Sequence, residues 1–531
     1  MNSGESKGSA IKEIFFGLDE LKKEPWKSLW KKRFQQYLFI FGIVSAAGIF
    51  ILGILLSFGF NYVPTDLDNA RFFLSAMVQA QAAIVTLVIT LTLIAIQMAS
   101  AAYTPRVVDV MKKNPDIWYL LIIYIGAMSY GFIALKLVSD PDRFLVSSVL
   151  ILGVYTFCIL FLYMKNTIAL LRPDHVVEML VNEINAENIH QKEWKDDIMQ
   201  PVFDVVHASI MRFDVTTTRT GLNALSERVL ELFLAFDEKN REKKSHDVTE
   251  HFCKHIQRSA LVALRNEDEG IIREIIVVLK NFGTHAAANG MEGATRRVVE
   301  TLRDVGIHAA DKGLEYATVM AANSLEAVGI HAADKGMEHA TGWVAYALEA
   351  VGTHAADKGM EGATTRVAYA LGVVGIHAAD KGLEGATRRV VETLRDVGIH
   401  AADKGLEGAT TRVADALGVV GTHAADKGLE YATGWVADAL GVVGIHAADK
   451  GMDYATGWVV RALCRVGLKE SGQNAAAKSL AQLMFHHKST IPESIKKFES
   501  ELKPEQKDQF TTSMKKVNKD LHKLESSEQP Q

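Results

Sequence analysis

Eight histidines, His285, His308, His331, His354, His377, His400, His423 and His446, recur at intervals of 23 residues and are the most regular set of potential ligands in the chain. An imidazole with an aspartate three residues on, as at His308 and Asp311, offers two donors to a metal. Stacked helices lie about 8–10 Å apart, whereas zinc holds its donors at about 2 Å, so histidines of successive copies do not reach one ion. The histidines therefore read as structural, near the start of a short helix, and no metal is expected. Cys158, Cys253 and Cys464 are far apart and show no ligand spacing or disulfide framework. No Walker loop, dinucleotide glycine fingerprint, HExxH or GxSxG stands in a supporting context. The sequence thus points to no catalytic residue, no cofactor and no enzyme. Fifty-eight basic against 63 acidic residues also argues against a nucleic-acid partner.

A second set of polar groups sits in an apolar setting. Phe72 to Pro105 is a run of 34 residues without formal charge, and a bilayer core takes about 20 residues of helix. Within it Ser75, Gln79, Thr86, Thr90 and Gln97 follow at spacings of 4, 7, 4 and 7, which puts them in one stripe. In lipid such a stripe faces protein or water. Two readings follow: hydrogen bonds to neighbouring helices, or an aqueous path assembled from several subunits.

This run leads into Ser100, Tyr103, Thr104, Pro105 and Arg106. With that closing pattern, residues 30 to 230 resemble the predicted-membrane-protein family catalogued as domain of unknown function 2254. The resemblance implies a bacterial or archaeal inner-membrane protein with four helices and brings no activity with it. A long repeat array after the membrane part departs from the family's pattern.

That array, residues 283–466, is eight copies of a 23-residue unit, and Glu292 to Glu315 recurs identically as Glu384 to Glu407. Within a unit the sequence suggests a helix pair: Gly306 ends one helix, a short helix follows, Gly313 stops it, and a longer helix begins at Leu314 or Glu315. Ala340, Val344, Leu348 and Val351 give the longer helix a buried stripe, which one unit cannot cover alone. The units must stack as an α-solenoid, HEAT-like only in general layout. The columns that vary between copies share a helix face and carry Arg297, Tyr316, Trp343, Arg366, Arg389, Arg412, Tyr431, Trp435, Tyr454 and Trp458. Tyr, Trp and Arg are the residues most enriched at binding hot spots, so this face is a candidate surface for a protein partner; the alternative is packing against the connector or a sister subunit.

The expected fold is all-α. Residues 1–37 form an amphipathic segment with aromatic rings and lysines suited to a membrane surface. Residues 38–166 hold four crossings, near 38–60, 72–103, 117–135 and 144–164. A helical connector, 167–282, includes a solvated loop at Asp237 to Asp247. Residues 467–488 cap the array, and 489–531 form a charged tail that is either a coiled coil or packed on the array. Lysine and arginine crowd the N-terminal tail and the loop at Arg106, Lys112 and Lys113, which places both ends in the cytoplasm of a multi-pass cell-membrane protein. No ionisable residue lies well inside a span, which disfavours a proton- or sodium-coupled carrier. The expected partners are the lipid bilayer and either a cytoplasmic protein or sister subunits in a homo-oligomer. The leading reading is an anchored scaffold or sensor; the alternative is an oligomeric channel lined by the second helix.

Overall fold

The computed structural model describes residues 34–35, 37–49, 67–102, 115–137, 143–170, 172–186, 189, 197–236, 241–487 and 491–527, and no strand occurs among them. The amphipathic segment expected over 1–37, apart from residues 34, 35 and 37, most loops between the crossings, and Tyr103, Thr104, Pro105 and Arg106 lie outside the described residues. The chain divides into two units, Met1–Ile184 and Asn185–Gln531.

In the first unit the helices Leu67–Ala102, Pro115–Leu137 and Arg143–Leu170 each contain a stretch long and apolar enough to cross a membrane: Leu67–Ile94, Asp116–Lys136 and Val146–Lys165. A shorter apolar helix, Tyr37–Ile49, stands where the first crossing is expected. Leu74, Val78, Val88, Leu120, Tyr124, Ile159 and Tyr163 are buried between the helices. Tyrosine hydroxyls tie the bundle at depth. Tyr37 donates to Asp116 Oδ1 (3.1 Å), Tyr155 to the Tyr37 carbonyl (3.2 Å) and Tyr124 to the Thr156 carbonyl (3.0 Å). The outer surface carries Phe72, Ile89, Leu93, Ile122, Phe132 and Phe161, an apolar coat matched to hydrocarbon rather than water.

The second unit opens with Gln200–Ile210, Val215–Ala235, Arg241–Arg265 and Glu269–Ala288. The expected loop at Asp237 to Asp247 is corrected here, because from Arg241 onward it is helix. Ser245, Val248, Thr249, Phe252, Cys253 and Ile256 form one buried stripe, so the charged residues between them occupy the wet face of an amphipathic helix.

In the repeat array seven successive helices, from Glu292–Asp311 to Glu430–Asp449, are each 20 residues long and run from the end of one unit into the start of the next. The eighth is the shorter Asp453–Gly467. The break expected at Gly306 is absent: Gly306 lies inside Glu292–Asp311, and the helix pair is made by two successive units. The reason is close packing. A Cβ on Gly306 would meet Val351 at 2.7 Å and Ala321 at 3.1 Å, and Gly329 and Gly375 are pressed by valines in the same way. Helix termination belongs to the second glycine. Gly313 has φ +72°, its N–H bonds the Ala310 carbonyl (2.9 Å), and the Leu314 N–H bonds the Ala309 carbonyl (2.9 Å), a Schellman ending repeated at every turn of the array.

Each helix packs on its immediate neighbours and, within its own layer, on the helix two units away. The residue before each helix is Leu or Met and cannot cap it. In several units the first-turn glutamate two helices back does so: Glu315 accepts from Ala363 N (3.2 Å), Glu338 from Gly385 N (2.7 Å), Glu361 from Gly408 N (2.7 Å) and Glu407 from Tyr454 N (3.2 Å). Between the layers run Val298, Leu302, Val344, Leu348, Val367 and their equivalents, all fully buried.

Both ends of the array are covered. Arg241–Arg265 and Glu269–Ala288 stack on its first helices, so the end of the expected connector joins the same layers. At the other end Gln473–His486 packs on the last two repeat helices. The tail helices Ile491–Glu501 and Pro504–Ser527 pack on these through Ile491, Ile495, Phe498, Phe510 and Val517. Of the two readings of the tail, packing on the array is the one observed. Ser526 and Ser527 are its last helical residues.

Candidate functional site

The alternation of layers divides the ten variable-column residues in two. Arg297, Trp343, Arg389, Tyr431 and Trp435 stand on helices of one layer, and Tyr316, Arg366, Arg412, Tyr454 and Trp458 on helices of the other. Within a layer, arginine and aromatic columns meet across helices. Arg296 lies 4.9 Å from the Trp343 ring, Arg388 lies 5.0 Å from Trp435, and Arg389 lies 4.2 Å from Tyr346. On the other layer Arg366 and Arg412 flank Tyr369 at 4.7 and 5.7 Å, and Arg461 stands 5.7 Å from Trp458. The arginines also hold carboxylates: Arg297 pairs with Glu300 (2.9 Å) and Glu250 (3.4 Å), Arg366 with Glu326, and Arg412 with Asp415 (3.1 Å). Arginine in one copy and tryptophan two copies on are thus stacking partners, a pairing set by the layer geometry. Tyr316, Tyr431 and Tyr454 keep 51%, 74% and 65% of their surface exposed. Beside Tyr316 an open groove of about 790 Å³ is lined by Glu315, Val319, Arg366, Tyr369 and Arg412 among others.

The repeat histidines sit in the last turns of 20-residue helices, not at the start of short ones. Nδ1 of His308, His331, His354, His400 and His446 bonds the carbonyl four residues back at 2.7–3.0 Å, while His377 and His423 approach Asp334 and Asp380 at 3.3 Å.

The polar stripe of Leu67–Ala102 turns away from the described bundle. Gln79, Thr86, Thr90 and Gln97 are exposed and Ser75 is half-buried. Thr86 and Thr90 donate to carbonyls one turn back, and Gln79 donates to Ser75 at 3.3 Å. The contacts to neighbouring helices come from off the stripe, where Gln81 is buried and Thr92 bonds Tyr163. Ser100 lies in the last turn of this helix.

Sequence reasoning passed over a different cluster. Among the described residues, one group of three has the composition and spacing to hold a metal: Asp197, His251 and His255, whose ligand atoms lie within 4.8 Å of one another. His251 and His255 are one turn apart on Arg241–Arg265, and Asp197 precedes Gln200–Ile210, where Oδ1 accepts from Met199 N (3.0 Å) and Gln200 N (3.3 Å). Burial by itself would raise the Asp197 carboxyl, but the two imidazoles beside it outweigh burial and hold it below the usual carboxylate range. The signal in the sequence was His-x-x-x-His; its carboxylate partner lies more than fifty residues earlier. Cys253, on the same helix, faces Thr301, and burial pushes its thiol up to about 12, which leaves it inert.

Comparison with known proteins adds the following. None of the curated proteins compared matches the chain. A solved structure titled "Circular tandem repeat protein with novel repeat topology and enhanced subunit contact surfaces" is similar over 77% of this chain and 97% of its own, at 14% identity and a TM-score of 0.32, too low to bear on the architecture. The matched family region runs further than the sequence resemblance suggested, into Glu269–Ala288, and ends eight residues before the first 23-residue unit. Residues 34–275, a little under half of the chain, are similar to the family of predicted membrane proteins DUF2254, and a helical repeat array follows the matched region.

Proposed function

We propose that the membrane helices anchor the array as a docking element for a protein, with four crossings and both ends in the cytoplasm. The observation that supports this reading most directly is the groove beside Tyr316, where exposed tyrosines and Val319 offer apolar contact beside Arg366 and Arg412, each already paired with a carboxylate. The occupant that fits is a polypeptide segment carrying aromatic and apolar side chains. A photo-crosslinking residue at Thr365, on the groove wall, tests it in intact membranes. The expected result is a discrete adduct that is lost when Tyr316 and Tyr369, which line the same groove, are replaced by Ala; absence of any adduct overturns the reading.

A second reading rests on the outward direction of Gln79 and Gln97. An amide facing away from its own bundle at membrane depth is satisfied by another subunit or by water, so an oligomeric channel lined by Leu67–Ala102 is the alternative. Reconstituted oligomers should then conduct ions, with a conductance altered in Gln79→Leu; silent bilayers retire it.

A further inference from the structure

The buried cluster has the chemistry of a metal site. The side chains of Asp197 and His255 are 6% and 4% exposed, and His251 is 19% exposed. Both imidazole Nε2 atoms aim at one carboxylate: His251 at Oδ1 (3.0 Å) and His255 at Oδ2 (2.9 Å).

Two details set this apart from an ordinary buried ion pair. His251 Nε2 is buried and close to Oδ1, yet makes no hydrogen bond. The oxygen it approaches is already occupied, because Oδ1 accepts two backbone N–H groups at the entrance of Gln200–Ile210. His255 Nε2 bonds Oδ2, so the unpaired donor is His251 Nε2, a buried nitrogen aimed at an oxygen it does not bond and placed to share an ion with it. Zinc takes His nitrogen and carboxylate oxygen at about 2.0–2.2 Å, so neighbouring donors around a tetrahedral ion lie roughly 3.3 Å apart. The separations here need only small side-chain adjustments to reach that geometry. The surroundings suit a closed site: Phe203 stacks on the His255 ring at 4.6 Å between centroids, and the His251 ring stands perpendicular to it at 4.8 Å.

We propose that Asp197, His251 and His255 bind one divalent transition-metal ion of the zinc type, with water in the fourth position. The ion is structural. It fastens the segment entering Gln200–Ile210 to Arg241–Arg265, the helix that stacks on the first repeat, and its binding free energy adds to the stability of that end of the array.

The test uses the full-length protein in detergent, stripped with a chelator and titrated with Co²⁺. One equivalent should give the visible absorption bands of a tetrahedral N/O site, Zn²⁺ should abolish them, and Zn²⁺ should raise the melting temperature. His251→Gln and Asp197→Asn should each weaken cobalt binding at least tenfold, while His423→Gln, in the array, leaves it unchanged. Because His251 is the most exposed of the three, its variant is the one expected to keep the full helical circular dichroism. Wild-type protein that takes up no cobalt overturns the proposal. So does a fully helical His251→Gln variant that binds it as wild type does.

Discussion

Gly306 and Val351, forty-five residues apart, touch so closely that a Cβ on the glycine would stand 2.7 Å from a valine methyl. The contact joins helices two units apart and holds their layer together. Replacing Gly306 by Ala should therefore destabilise the array by about 1–2 kcal/mol, because overpacking outweighs the helix propensity gained. Gly342, in the interior of Glu338–Asp357 with nothing within 4 Å of its missing Cβ, should respond oppositely, and its Ala variant should gain about 0.5–1 kcal/mol. Urea unfolding of the two variants side by side measures both signs.

Gly313 poses a different constraint. Its φ of +72° lies in the left-handed region, so Gly313→Ala should cost about 1–2 kcal/mol although nothing stands in its way. Gly313→Asn should recover part of that loss in the same denaturation assay.

Alternating layers make unit number matter. Deleting residues 361–406, two units, returns every downstream helix to its own layer, whereas deleting 361–383 moves each into the opposite one and separates Arg389 from Tyr346. The two-unit deletion should melt at a higher temperature than the one-unit deletion, although it removes more of the core.

The stacking of Arg388 on Trp435 should show as coupling. In a double-mutant cycle with Arg388→Gln and Trp435→Leu, the pair should be worth about 0.5–1 kcal/mol beyond the single effects. Additive losses would mean that this arginine contributes independently of the ring.

Glu274 should contribute to acid sensitivity. Arg219 grips it at 2.7 and 2.8 Å, and this pairing, with a smaller opposing effect of burial, holds its carboxyl below the usual range. A depressed carboxylate stabilises the fold fully above its unfolded value of about 4.3 and loses that contribution as pH falls towards the folded value. Glu274→Gln should be less stable than wild type at pH 7, and the gap should narrow as the solution is acidified below pH 4, as followed by far-ultraviolet circular dichroism.

Much of this architecture was legible because it rests on period. The 23-residue recurrence and the stripe Ala340, Val344, Leu348 and Val351 required stacked helices, and the uncharged run from Phe72 required a membrane-length helix. Gly306 was misread because glycine serves two physical purposes, left-handed backbone and close approach, and only the neighbours in space distinguish them. Ser245, Val248 and Phe252 carried a readable helical stripe at the loop assigned to Asp237–Asp247, but the density of charge around them obscured it. The meeting of Asp197 with His251 and His255 is a product of tertiary folding, and no local spacing announces it.

The reach of Glu315 to the backbone of Ala363 gives the array a direction. In each such pair the acceptor comes from the N-terminal side, so the start of a helix is completed by the helix two units before it and never by the one after. Loss of one glutamate is therefore felt two units downstream, at a helix start that has no capping side chain of its own.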